Sequence, residues 1–93
     1  MNSVGGRYLE DSKYLTEAEV RNLSLQELKY ARNEIYARRG RKFDSSELQS
    51  YFNSKSWYYP SIEPEDFSEN CFNDYEMKNL KLLVNLFARM ERS

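Results

Sequence analysis

An all-α fold, a small bundle of about four helices with two short and two longer, follows from three observations on this chain of 93 residues. One six-residue pattern, apolar, Ser/Thr/Asp/Asn, two residues, glutamate, apolar, occurs four times. The C-terminal segment carries one apolar stripe at helical spacing: Met77, Leu80, Leu83, Val84 and Phe87. No stretch alternates with period two for long enough to make a sheet.

The repeated pattern has a physical meaning. A short polar side chain at a helix start accepts from unpaired backbone N–H groups of the first turn. A glutamate three residues on reaches back to the cap, and the flanking apolar pair holds the incoming chain. Leu15 to Val20 supplies Thr16 and Glu19, and Leu23 to Leu28 supplies Ser24 and Glu27. Phe43 to Leu48 supplies Asp44 and Glu47, and Phe72 to Met77 supplies Asn73 and Glu76. The first helix is short, because Asn22-Leu23-Ser24 already opens the next. The second runs from about Leu25 to Arg39 and stops at Gly40, a residue suited to a left-handed terminus. The third covers about Ser45 to Asn53 and buries Leu48, Tyr51 and Phe52. Trp57-Tyr58-Tyr59 ends at Pro60, so it is expected to be extended and folded onto the helices as an ordered aromatic loop. The fourth helix runs from about Asp74 to Arg92. Its second stripe, Tyr75, Leu82 and Leu86, either makes this helix central or meets a partner, including a second copy of the chain. Monomer is the expected state. Residues 1–7 read as a leader or linker without fixed structure, and 8–93 as a single domain.

Composition removes whole function classes. With 14 basic and 15 acidic residues the net charge is −1, without the basic excess that nucleic acid requires. No apolar run approaches the roughly 20 residues of a membrane helix, so no direct insertion is expected. Histidine is absent and Cys71 is the single cysteine. That combination excludes disulfide frameworks, His/Cys zinc sites, Ser-His-Asp triads and Cys-His dyads. No catalytic residues, metal site or cofactor are expected, and the chain reads as non-enzymatic. Glu63, Glu65, Asp66 and Glu69 form an acidic stretch whose spacing matches no calcium loop.

The densest chemistry lies in Asn33-Glu34-Ile35-Tyr36-Ala37-Arg38-Arg39-Gly40-Arg41-Lys42-Phe43. At about 100° per residue, Leu28, Ala31 and Ile35 share a face, and Arg39 falls within roughly 40° of Ile35. Arg32 borders that face. Glu34 can pair with Arg38 at i,i+4, and cations in a last turn suit the helix dipole. Asn33 lies on the other side with Tyr30 and Ala37, where its amide is expected to tie down a loop. Two readings follow. In one, the cluster holds a helix end and its loop together. In the other, Arg38, Arg39, Arg41 and Lys42 grip an anionic group between flat walls from Tyr36, Trp57 and Tyr58, with Arg41 and Lys42, beyond the glycine, the better placed to touch a ligand.

Tyr14-Leu15-Thr16, Leu25 to Leu28, Ala31 to Gly40, Phe43, Glu47-Leu48, Tyr51-Phe52 and Trp57-Tyr58, in that order, resemble the YARHG domain, a bacterial module named for its Tyr-Ala-Arg-His-Gly motif. The likeness runs from about Tyr8 to the last helix. Here the motif reads Tyr36-Ala37-Arg38-Arg39-Gly40, so any role needing an imidazole at Arg39 is lost. The resemblance implies an extracytoplasmic accessory domain in a longer cell-surface or secreted protein. It implies no particular chemistry, since the family has no established molecular function. Carried over by position, the motif residues are Asn33, Glu34, Tyr36, Ala37, Arg38 and Gly40, with Phe43, Tyr51, Phe52, Trp57 and Tyr58 as companions. Asn33, Glu34, Arg39, Gly40 and Phe43 are read as the structural part of this stretch. The expected function is a non-catalytic module binding cell-wall glycan or peptide, or another protein, through the basic-aromatic surface around Gly40. The alternative is a structural or interaction spacer without a small-molecule ligand.

Overall fold

The computed structural model describes residues 14–92. Among them lie four α-helices: α1 (Glu17–Val20), α2 (Leu25–Ala37), α3 (Ser46–Asn53) and α4 (Asp74–Glu91). Two 3-10 turns, Pro64–Asp66 and Glu69–Cys71, precede α4. Among the described residues the single β-type feature is a parallel bridge between Arg41 and Ile62. The expected leader over 1–7 lies outside the described residues.

Three of the four starts are reciprocal capping boxes: Thr16 with Glu19, Ser24 with Glu27, and Asn73 with Glu76. The third start departs from expectation. Ser45, not Asp44, accepts from the Leu48 N–H. With the cap one residue on, Leu48 occupies N3 and Glu47 N2, so Glu47 has no box to close. It ties α3 to α2 instead, accepting from Tyr30 at 2.6 Å and from Lys29 at 3.0 Å.

α2 is central and packs against both α4 and α3. On one side Leu28, Ala31 and Ile35 meet Leu80, Leu83 and Leu86 of α4, with Val20 and Phe72. On the other, Ala37 meets Phe43, Leu48, Phe52 and Tyr58. Both stripes of α4 are largely spent within the chain: Leu86 belongs to the core, Leu82 packs against it, and the Tyr75 ring packs tilted against Tyr14 at 4.4 Å between centroids. Val84 departs from its stripe and is 40% exposed. Asn79, buried on α4, accepts from the Leu15 N–H at 2.7 Å and fixes the segment that leads into α1. Asn33 ties no loop; its amide donates to the Lys29 carbonyl of its own helix at 2.8 Å.

The end of α2 is a Schellman turn. The Gly40 N–H donates to the Ala37 carbonyl and the Arg41 N–H to the Tyr36 carbonyl. Gly40 adopts φ +86° and its carbonyl accepts from both Ser61 and Ile62, which stitches the returning loop to the helix end. A Cβ at this position would lie 2.8 Å from Ser61 Oγ and 3.3 Å from the Tyr59 carbonyl. Gly40→Ala is therefore expected to lower stability by about 1–3 kcal/mol, through left-handed strain and crowding. Urea denaturation measures this, and an unchanged midpoint would contradict it.

Candidate functional site

The Schellman turn decides where the residue after the glycine goes. In such turns the residue after the left-handed position commonly contacts a side chain of the last helical turn. Here Arg41 fills that role, its guanidinium 5.2 Å from the Tyr36 ring and 5.2 Å from the Phe43 ring. Its carbonyl accepts from the Tyr58 hydroxyl at 2.6 Å, so the backbone beneath it is anchored. One turn before Tyr36 on α2, Arg32 lies over Phe87 of α4 at 5.2 Å. Among the described residues neither arginine has a carboxylate partner.

These two arginines, with Tyr36 and Asn33 of α2, line a groove of about 420 Å³. Val84 of α4 also lines it, which accounts for its exposure, as do Pro64, Phe67 and Glu69 from the 3-10 segment. Phe67 and Phe72 pack on Tyr36 at 5.5 and 5.4 Å between centroids and fix its ring. The Tyr36 hydroxyl donates to Glu69 at 2.7 Å. Burial first, and then this bond to a carboxylate, push the Tyr36 phenol up to about 12, against the opposing pull of Arg41 and Arg32. Tyr36 is thus a neutral donor held in place at any physiological pH. Its folded value exceeds the ordinary phenol value of 10.0, so its contribution to stability is complete below that pH and is lost as pH rises towards 12. The Tyr30 phenol is also pushed up, chiefly by its bond to Glu47. A near-ultraviolet tyrosinate titration should therefore show more than one late phenol, and Tyr36→Phe should remove the step near pH 12 alone.

The expected binding residues are divided by the fold. Tyr36 and Arg41 meet in the groove. Lys42 points elsewhere and pairs with Glu63 at 2.6 Å, a bond that holds its ammonium above the usual lysine range. Arg38 pairs with the buried Glu34 at 2.8 Å and lies over Trp57 at 5.2 Å. Trp57 and Tyr58 are packing residues around Phe52 instead of open walls: Tyr58 is 7% exposed. The Trp57 indole N–H is buried with no acceptor among the described residues, and the packing around it offers no account of that. Within this loop the exposed ring is Tyr59, at 79%. Arg39 makes a two-point ion pair with Glu76, at 2.9 and 2.6 Å, joining the end of α2 to the start of α4.

Sequence reasoning missed Arg32 and Glu69 as site residues. The helical repeat does put Arg32 four residues before Tyr36, which is a usable signal. Glu69 had none, because an irregular stretch carries it 33 positions along the chain to Tyr36. Among the described residues no three Cys, Asp or Glu side chains group as metal ligands, and no helix is long and apolar enough to cross a membrane. The exposed Cys71 thiol is pushed up, chiefly by desolvation, which disfavours the nucleophilic thiolate.

Neither curated proteins nor solved structures include a match to this chain. The family model described as the YARHG domain matches residues 7–87, which takes in all of α1, α2 and α3, the groove, and most of α4. On that match, which covers most of its length, the chain belongs to the YARHG domain family.

Proposed function

We propose that this domain is a non-catalytic binding module of a longer bacterial envelope or secreted protein, and that the groove over Tyr36 is where it binds. One observation carries the reading. Two arginines converge on a fixed, neutral tyrosine and rest on aromatic rings, while Arg38, Arg39 and Lys42 nearby are each paired with a glutamate. A guanidinium seated on a ring keeps its N–H donors for an incoming acceptor. Cell-wall fragments, which carry peptide carboxylates beside sugar rings, have the right chemistry. The test is a titration of the whole chain with muropeptides, following backbone amide shifts. Shifts at Arg32, Tyr36, Arg41 and Glu69 are expected. Silence at these positions with millimolar ligand would remove the wall-binding proposal.

A structural spacer is the second reading, favoured by the inward use of Glu34, Arg38, Arg39 and Glu76. Under it, Arg38→Ala should cost about 1–3 kcal/mol, because Glu34 would be left buried without its charged donor. An unchanged melting temperature together with lost partner binding would count against the spacer.

A further inference from the structure

Resting on the groove as a binding site, we infer that it takes a short zwitterionic peptide, with the carboxylate held by Arg32 and Arg41 and the ammonium by Glu69. The groove carries both signs of charge in one lining, two guanidinium groups and a carboxylate. Arg32 on α2 and Arg41 beyond Gly40 supply the donors, and both line the groove beside Tyr36. Glu69, from the 3-10 turn Glu69–Cys71, lines the same groove. One of its oxygens, Oε2, accepts from Tyr36, and Oε1 has no donor among the described residues. Asn33 also lines the groove, with one amide hydrogen donated to the Lys29 carbonyl. A bare anion entering here is repelled by Glu69, and a bare cation by two guanidinium groups. A molecule with one carboxylate and one ammonium satisfies both ends. The volume of about 420 Å³ lies in the range of small-molecule sites, about 300–1,000 Å³, which leaves room for more than a single acid group. Phe67, Pro64 and Val84 give the middle of the ligand an apolar bed.

The experiment compares four probes on the full chain by amide shifts: Ala-Ala, N-acetyl-Ala-Ala, Ala-Ala amide and inorganic phosphate. Ala-Ala should move Arg32, Tyr36, Arg41 and Glu69, and blocking either end should weaken binding by about tenfold or more, the effect of losing one charge-assisted bond. Glu69→Gln should abolish the preference for a free amino group while leaving the carboxylate requirement. Arg41→Gln should weaken Ala-Ala and the acetylated peptide alike. If the acetylated peptide or phosphate binds as tightly as Ala-Ala, the zwitterion assignment falls and the groove remains an anion site. Movement with muropeptides but not with Ala-Ala overturns the assignment alone. If neither moves the groove amides, the underlying reading falls with it.

Discussion

Glu76→Ala is expected to lower the stability of this domain by about 3 kcal/mol, a loss assembled from a two-point bond to a charged group and a helix cap. Glu76 is buried, yet it accepts from Arg39 Nη2 and Nε and from the Asn73 N–H. Removing it opens the start of α4 and frees the end of α2 together. Arg39 is the more exposed partner, with a third of its side chain in solvent, so it can rehydrate once Glu76 is gone. Arg39→Ala is worse placed, because it leaves the Glu76 charge in a site only 5% exposed. Arg39→His restores the letter of the family motif and gives a sharper result. An imidazole beside Glu76 gains a carboxylate partner, and its folded pKa rises above the unfolded value. Its contribution is then complete below about pH 6.5 and is lost as pH rises through the folded value. The natural chain has no histidine and should show no such step. Urea denaturation from pH 5 to 8 separates the two, and identical profiles would refute the assignment of this contact.

Phe52→Ala should cost about 3–5 kcal/mol, which for a domain of this size approaches the whole of its stability. Phe52 has no exposed surface and sits among Phe43, Tyr51, Trp57 and Tyr58, with ring centroids 4.9–6.1 Å away. The void would loosen the packing of Tyr58, whose hydroxyl anchors the Arg41 carbonyl. The groove should therefore suffer with the core, although Phe52 does not line it. Phe52→Leu, which leaves a smaller cavity, should retain most of the stability and the groove amide pattern. Chemical denaturation with tryptophan fluorescence reads both variants. A loss under about 1 kcal/mol for the alanine variant would mean the aromatic cluster collapses around the gap.

The helices were readable because their determinants are local. A cap and its glutamate are three residues apart, and an apolar stripe repeats every turn, so Thr16, Ser24 and Asn73 announced their helices and α4 emerged over nearly its expected length. The pairing of Glu34 with Arg38 was visible for the same reason, since one helical turn sets the distance. What failed was decided by partners distant in sequence. Glu47 went to Tyr30 and Lys29, Lys42 turned to Glu63, and Trp57 and Tyr58 folded inward around Phe52. The groove belongs to this second kind. Its arginines come from α2 and from beyond the Gly40 turn, its carboxylate from a 3-10 turn, and its apolar edge from α4. The sequence alone determined the helices, the stop at Gly40 and the family. Only the packing of α2 against α4 and the returning loop decided which cations pair with a glutamate and which, among the described residues, rest on aromatic rings instead, because those contacts depend on loop paths that local propensity does not specify.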